Sequence, residues 1–318
     1  MYLTIGSPYF PPDRLSIDEL AALERFVKDA PALKGTDGFS SVPIGKDGDN
    51  IDYAIRAWQT LQETAGFDVS GVNSVFLLGQ MEDAGWERIP TFRFCSEAKL
   101  RPHTRVLQLK SGNGTATINA MELAADVIKE RGTHSIALVA SEKVNTRFVR
   151  RRVGSLVFGD VAIACLATNE PVTGRALTVK LMGRPVALSD PRFFEIRPGG
   201  LSGDADYLAS VRKLSHQAIE MALAEADVSL QEIGFLSTQN MSERVCRHIG
   251  EGFPLPGKSV SERATVAHAP CVDLLANLSI AWSANRLPQG SRVLLLSLGV
   301  GVSVAACIVE ISNEVSHG

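Results

Sequence analysis

The order helix, strand, turn, strand occurs twice along this chain of 318 residues. The first copy comprises a helix and two strand-like runs, at about 115–130, 135–140 and 161–167. The second copy comprises the same three elements, at 270–285, 292–297 and 302–311. Apolar strands that alternate with helices are typical of a layered α/β protein, and the repeated order predicts an internal duplication. Both helices are rich in alanine, which lets layers approach closely, so we expect them to form a central pair.

The remaining periodic segments complete this plan. Strands are predicted at 3–7, 74–78, 106–109, 176–182 and 233–237, helices at 52–66 and 206–227, and a loop-rich stretch at 80–105. We expect an N-terminal half, 1–172, that contains a glycine-bearing turn before the first central helix. The C-terminal half spans 173–318.

Composition limits the classes of function. Hydrophobic residues make up 45% of the chain, which suffices for one large core or two fused ones. The formal charge is −3 and aromatic residues make up only 6% of the chain, so nucleic acid is not an expected partner. No apolar run approaches the roughly 18 residues of a membrane span. We therefore expect a cytoplasmic protein that does not bind membranes.

The five cysteines show no CxxC spacing and are odd in number. This pattern argues against a metal site and against a disulfide framework. Cys165 and Cys307 lie in apolar strand-like runs, where a buried structural role is expected. Cys95 and Cys246 have mixed neighbours and do not indicate a catalytic thiol. No cofactor is predicted.

A turn at 110–115 connects a predicted strand to the first central helix. The free N–H groups and the positive end of the dipole at such a helix tip stabilise an oxyanion or a thiolate. The turn contains no cysteine, and the hydroxyl groups nearby belong to Ser111, Thr115 and Thr117. It therefore has the form of a nucleophile turn without an obvious nucleophile.

Five segments, in this order and spacing, resemble a known family. They are Asp37–Pro43, Asn119–Ala125, Phe158–Ala164, Ala267–Leu278 and Ser297–Ser303. The chain is similar over nearly its whole length to thiolase-like proteins, and among these to the β-ketoacyl-acyl-carrier-protein synthase III-like enzymes and their acyltransferase relatives of secondary metabolism. This resemblance implies a five-layered α-β-α-β-α fold with internal duplication. It also implies an acyl-carrier-protein or coenzyme A thioester as substrate, and dimers formed through the strand beside the turn.

The resemblance places the catalytic positions of the family on particular residues. The family cysteine falls on Gly114, and Thr238 or Gln239 stands where a histidine is usual. His268, with Asp273 five residues later, resembles the histidine and aspartate of the acyl-transferring branch. Two of the three usual catalytic positions are thus replaced.

Several roles remain open for the residues around this site. Ser111 or Thr115 is a candidate nucleophile paired with His268, or these hydroxyls merely cap the helix. Asn240 joins the candidate catalytic residues. His268 is either a base or an oxyanion donor oriented by Asp273, or an inert remnant. In direct transfer, without a covalent intermediate, the regions of Gly114 and Gly301 would supply the oxyanion hole.

The segment 147–152 forms a basic cluster. In the family this loop lies near the mouth of the acyl tunnel, and the forked guanidinium suits phosphate. The resemblance thus implies that Arg147, Arg150 and Arg151 bind coenzyme A or a carrier protein. The alternative is a solvated run of charges.

Two functions compete. The first is a synthase III-like acyltransferase that moves an acyl group from a thioester to a hydroxyl, amine or carbanion. The second is a catalytically silent subunit that dimerises with an active synthase III-like partner. Decarboxylation or hydrolysis of a thioester leaves no distinct mark in the sequence.

Overall fold

The structure is a computed structural model of the chain. It describes residues 1–79, 89–110, 113–132, 135–144, 150–172, 174–193, 205–255, 258–299 and 301–312. No helix in these ranges combines the length and the apolar character that crossing a membrane requires.

The strands in the described ranges are numbered in chain order. They are β1 Tyr2–Ile5, β2 Asp13–Ser16, β3 Ser41–Ile44, β4 Ser74–Leu78, β5 Arg105–Leu109, β6 Ser135–Glu142, β7 Arg152–Val153, β8 Leu156–Val157, β9 Val161–Thr168, β10 Leu177–Ser189, β11 Phe235–Thr238, β12 Arg292–Gly299 and β13 Ser303–Ile311. The α-helices are α1 Ile17–Glu24, α2 Ala30–Gly35, α3 Asn50–Ala65, α4 Pro90–Glu97, α5 Ala116–Arg131, α6 Ala205–Ala226, α7 Glu243–Gly250, α8 Arg263–Val266 and α9 Asp273–Ser283.

Most strands join one mixed sheet in the order β11-β12-β13-β10-β1-β9-β6-β4-β5. Strand β1 lies between β9 and β10 and pairs antiparallel with both, so it joins the strands of the two halves. Within each half an antiparallel pair follows a helix: β6 pairs with β9 after α5, and β12 pairs with β13 after α9. This repetition agrees with the predicted internal duplication.

Helices α5 and α9 form the central layer. One apolar cluster contains Ile118 and Met121 of α5, Leu274 and Leu278 of α9, and inward side chains from both halves of the sheet. Helix α3 covers the outer face of the first half, where Trp58 is fully buried. Helix α6 covers the outer face of the second half. The layers are therefore helix, strand, helix, strand, helix, as expected.

The inner strands of the mixed sheet carry apolar side chains on both faces, because helices cover both faces. In β6, Leu138 faces the central cluster and Val139 faces the cluster under α3. In β12, Leu295 faces the central helices and Leu294 faces α6. Strands buried on both faces read as continuous apolar runs, which is why the sequence identified them readily.

Some elements differ from the prediction. The predicted strand at 176–182 continues to Ser189 as β10, with an irregular register between Met182 and Val186. The stretch expected to be rich in loops contains helix α4, which begins with Pro90 at its first turn. Helix α7, which follows β11, was not predicted. Its single buried residue, Ile249, leaves too little periodic signal.

Candidate active site

His268 and Asp273 form a buried hydrogen-bonded pair at the start of α9. His268 Nδ1 lies 2.8 Å from Asp273 Oδ2, and the two residues are 6% and 0% exposed. Because an ionised carboxylate only accepts hydrogen bonds, Nδ1 is the donor of this hydrogen bond. Nε2 makes no hydrogen bond to any described residue. This pair has the arrangement of a base held by a carboxylate.

The Asp273 carboxylate is held by further donors. Its Oδ1 accepts hydrogen bonds from the backbone N–H of Ala269 at 2.8 Å and from Asn240 Nδ2 at 3.2 Å. Its Oδ2 also accepts the backbone N–H of Asn240 at 2.9 Å. Asp273 is therefore fixed in position, and it fixes the orientation of the imidazole.

Asn240 supports this pair. Its side-chain oxygen accepts hydrogen bonds from Ser261 Oγ at 3.0 Å and from the Glu262 N–H at 3.1 Å, while its Nδ2 serves Asp273. The residue is fully buried. The Asn240 amide is thus engaged with Asp273, Ser261 and Glu262, and a catalytic role for Asn240 stays a prediction.

The backbone around His268 is tied to the neighbouring loop. The His268 N–H donates to the Val157 carbonyl oxygen at 2.7 Å, and the Gly159 N–H donates to the His268 carbonyl oxygen at 3.1 Å. The rings of Phe158 and His268 lie 5.1 Å apart. Just before the histidine, Ala267 has φ 60° and ψ −149°. Residues other than glycine avoid this region of φ and ψ, so the backbone of Ala267 is strained.

Gln239 occupies the space in front of Gly114. Its Nε2 donates hydrogen bonds to the carbonyl oxygens of Gly114 at 3.0 Å and Pro270 at 2.9 Å. Its Oε1 accepts the Leu298 N–H at 2.8 Å. The Gly114 carbonyl oxygen also accepts a hydrogen bond from Ser297 Oγ. Residues 114 and 239, where the family resemblance implies a cysteine and one of two alternatives for a histidine, are thus in direct contact.

A side chain at position 114 does not fit in this arrangement. An ideal Cβ on Gly114 lies 2.0 Å from the Leu298 carbonyl oxygen and 2.4 Å from Gln239 Nε2. The first of these atoms belongs to the backbone of β12, so the contact cannot be relieved by a rotamer change. Glycine at 114 is therefore required by packing, and the helix tip carries no nucleophile at that residue.

The two candidate hydroxyls have different outcomes. Thr115 is buried immediately before α5, and its hydroxyl accepts a hydrogen bond from Asn119 Nδ2 at 3.3 Å. Its side chain makes no capping hydrogen bond to the helix, so the capping alternative is wrong at Thr115. The role of Thr115 as a nucleophile stays a prediction. Ser111 lies outside the described residues.

Thr238 faces away from Gly114. Its hydroxyl lies 3.7 Å from Cys246 Sγ, beside a cavity that borders α7. Its carbonyl oxygen accepts a hydrogen bond from Asn277 Nδ2 of α9 at 2.9 Å. Of the two residues that the sequence left open at the histidine position, Gln239 is the one that contacts Gly114.

Arg151 belongs to the interior. Its guanidinium donates to both oxygens of the Asp160 carboxylate, at 2.8 and 2.7 Å, and the two residues are 3% and 0% exposed. The prediction that Arg151 binds coenzyme A or a carrier protein is corrected, because its donors are used inside the protein. Arg150 is exposed, and Arg147 lies outside the described residues.

The glycine proposed for the second part of an oxyanion hole is Gly301. It follows β12 with φ 81°, and an added Cβ would lie 3.0 Å from the Phe193 carbonyl oxygen. No contact in the described ranges connects Gly301 with His268. Its conformation explains the need for glycine there, and its role in an oxyanion hole stays a prediction.

The described cysteines separate into two groups. Cys165, Cys271 and Cys307 are buried, and burial raises the pKa of each thiol. Cys95 and Cys246 are partly exposed. Within the described ranges no three side chains of His, Cys, Asp or Glu are grouped closely enough to hold a metal ion.

Sequence reasoning identified His268 and Asp273 but missed the roles of other residues. It did not find that Gln239 fills the space at Gly114 or that Ser261 extends the network from Asn240. Polar residues next to the end of a buried strand are a weak signal for such networks. The partners come from distant segments, so only the folded chain identifies them.

Known proteins resemble this chain in sequence and in fold. Residues 223–311 match the family model described as 3-oxoacyl-[acyl-carrier-protein] synthase III C terminal. The β-ketoacyl-[acyl-carrier-protein] synthase III of Ehrlichia ruminantium (strain Gardel) is 21% identical over 328 residues, which cover 97% of this chain and 98% of the relative.

Two solved structures superpose over nearly the full length. ChlB3, described as an acyltransferase, gives a TM-score of 0.84 at 19% identity and covers 98% of both chains. The 3-oxoacyl-(acyl carrier protein) synthase III FabH of Pseudomonas aeruginosa PAO1 gives a TM-score of 0.77 at 18% identity and covers 99% of both. The chain therefore has the α/β thiolase-like fold of the synthase III proteins, and its C-terminal part matches their family model.

Proposed function

We propose that this protein is a synthase III-like acyltransferase that uses His268 as a general base and forms no acyl-enzyme intermediate at position 114. The observation that carries the proposal is the hydrogen bond of 2.8 Å between His268 Nδ1 and Asp273 Oδ2, which fixes the ring through Nδ1 and leaves Nε2 as the nitrogen that can act as the base. An inert remnant would not need a carboxylate held by three further donors.

In the proposed reaction, the acyl group passes directly from the thioester to the acceptor. His268 Nε2 takes a proton from the hydroxyl, amine or carbon acid of the acceptor, which then attacks the thioester carbonyl carbon. The bond between carbon and sulfur breaks, and the departing thiolate receives the proton. Positioning and general-base catalysis suffice for such a transfer. The oxyanion donors are proposed in the regions of Gly114 and Gly301.

The substrate is proposed to be an acyl thioester of a carrier protein or of coenzyme A. The match of residues 223–311 to a family named for acyl-carrier-protein chemistry supports this choice, and so does the likeness to ChlB3. Exposed Arg150 is the described arginine of the basic loop that remains available for docking. We place the reaction in secondary metabolism, in the cytoplasm, on the same resemblance.

The test is turnover of acyl thioesters by the purified chain. Acyl-coenzyme A and acyl-carrier-protein substrates with a labelled acyl group are incubated with hydroxyl and amine acceptors, and thiol release and the protein mass are followed. We expect thiol release without an acyl adduct, and loss of release in His268→Gln. A stable adduct that disappears in Ser111→Ala or Thr115→Ala would replace direct transfer by a covalent route.

A second candidate is a catalytically silent subunit. The packing of Gln239 and the Leu298 carbonyl oxygen against Gly114 favours it, because this packing excludes the family nucleophile. Strand β5 is the edge of the sheet and exposes Leu107, so it is the proposed surface for a dimer. Co-expression with synthase III-like partners separates the two functions. An active self-dimer excludes the silent subunit, whereas inactivity alone with activity restored in a heterodimer supports it.

A further inference from the structure

A cavity of about 570 Å³ lies beside α7, outside the site of His268 and Asp273. Leu236, Ile249, Leu255 and Leu296 supply its apolar walls. Its polar lining includes the Cys246 thiol and the Arg263 guanidinium. The volume is within the range of about 300–1,000 Å³ that is common for small-molecule sites.

The Arg263 guanidinium is nearly buried, and the atoms that accept its hydrogen bonds are neutral. Its side chain is 12% exposed. Its Nε donates to Ser261 Oγ at 3.1 Å, and its Nη2 lies 3.7 Å from Cys246 Sγ, so these partners are neutral groups. A cation withdrawn from water in this way is costly unless an anion pairs with it.

The third nitrogen of this guanidinium is available. Nη1 is buried and makes no hydrogen bond. Nη1 pairs loosely with Glu243, whose Oε2 lies 3.6 Å away, beyond a hydrogen bond, on a side chain that is 61% exposed. The buried carboxyl of Asp37 is also near enough to feel the charge of Arg263 but makes no hydrogen bond to it. A ligand carboxylate would supply the missing acceptor.

We propose that this cavity binds a monocarboxylate that carries an apolar chain. The carboxylate pairs with Arg263 Nη1, and the chain covers the aliphatic walls. The charged residues of the lining are Arg247, Arg263 and Glu243, a net charge of +1 that one carboxylate balances. Inorganic phosphate would leave the four aliphatic side chains uncovered and would bring a second negative charge towards Glu243.

This site is joined to the His268 pair by side chains. Arg263 Nε donates to Ser261 Oγ, Ser261 Oγ donates to Asn240 Oδ1, and Asn240 Nδ2 donates to Asp273 Oδ1. A change in enzyme activity could therefore come from ligand binding in the cavity or from a disturbed His268–Asp273 pair. Direct binding measurements keep this proposal separate from the proposed acyl transfer.

The experiment is calorimetric titration of the full chain with octanoate. We expect saturable binding that weakens about 10- to 100-fold in Arg263→Gln, the loss typical of a charge-assisted hydrogen bond. Arg212→Gln is the matched control, because Arg212 is 38% exposed, pairs with Glu251 and does not line the cavity. The Arg212→Gln variant should bind octanoate with the affinity of the wild type. Octanamide and inorganic phosphate should bind at least about tenfold more weakly than octanoate.

Alkylation of Cys246 locates the bound ligand. Octanoate should slow the reaction of Cys246 with iodoacetamide and leave that of Cys95 unchanged, since Cys95 is partly exposed outside the cavity. If Arg263→Gln fails to fold, Leu255→Glu tests the same site by placing an acid on a partly exposed wall, and it should weaken octanoate binding. Absent binding, equal affinity for octanamide or phosphate, or equal protection of Cys95 would overturn the proposal.

Discussion

The side-chain amide of Gln239 donates a hydrogen bond of 3.0 Å to the carbonyl oxygen of Gly114, at the tip of the first central helix. The same amide group binds Pro270 and Leu298, so it connects the two central helices and β12. An amide with three hydrogen bonds in a buried place is a fixed part of the core. This contact holds the turn before α5 against the segment before α9.

Gly114→Ala should destabilise the protein. The added Cβ meets the Leu298 carbonyl oxygen at 2.0 Å, and overpacking of this kind costs about 1–3 kcal/mol. Chemical denaturation measures the loss. Gly35→Ala is the control, because an added Cβ there has no neighbour within 4 Å. Similar stability of both variants would show that the turn moves aside freely.

His268→Gln should reduce acyl transfer by about 10²–10⁴-fold, the usual contribution of a general base. Asp273→Asn should also reduce the rate of acyl transfer, because a neutral amide oxygen replaces the charged carboxylate that accepts the hydrogen bond from His268 Nδ1. Turnover of the thioester substrate measures both. His216→Gln serves as a control. His216 is hydrogen-bonded to the Ile249 carbonyl oxygen and makes no contact with His268 or Asp273 among the hydrogen bonds of the described residues. Full activity of His268→Gln in a folded protein would contradict the proposed base.

Ala267→Gly should stabilise the chain. Ala267 adopts φ 60° and ψ −149°, which costs about 1–3 kcal/mol for a residue with a Cβ, while glycine loses more entropy on folding. The net gain should be about 1 kcal/mol in the free energy of unfolding. Ala269→Gly, also buried but without a positive φ, should destabilise instead. A loss of stability in Ala267→Gly would show that the strain is absent in solution.

Arg151→Gln and Arg150→Gln should act differently. The first breaks a buried ion pair with Asp160 and should cost about 3–5 kcal/mol of stability. The second removes an exposed charge and should change stability by less than about 0.5 kcal/mol. Thermal denaturation compares the variants. If Arg150 binds the carrier protein, Arg150→Gln should raise the KM for that substrate alone.

The contribution of Asp190 to stability should depend on pH. Hydrogen bonds from Arg192 and Ser210 hold the pKa of this carboxyl well below its usual value of 3.8. Between pH 3.8 and the lowered pKa, the unfolded chain therefore binds more protons than the folded chain. The free energy of unfolding falls as the pH falls through this range. Asp190→Asn should be less stable than the wild type at pH 7, and the difference should shrink below pH 4. Parallel stability curves from pH 7 to pH 2 would contradict this assignment.

The sequence predicted most of the buried layers. Strands β4, β6 and β9 and the central helices α5 and α9 appear close to their predicted positions, because apolar runs covered on both faces leave a strong local signal. Helices α4 and α7 were missed, since each is eight residues long and buries a single residue in its helix. Short surface helices carry too little periodicity to be recognised.

The sequence by itself determined the layered fold with its repeated order of elements, and the family resemblance drew attention to His268 and Asp273. Only the tertiary structure decided that Gln239 fills the space at Gly114, that Arg151 pairs inside the protein and that Asn240 positions Asp273. Periodicity and spacing are local properties of the chain. The partner of a buried polar group comes from a distant segment, and the need to satisfy its hydrogen bonds is met only when those segments pack together.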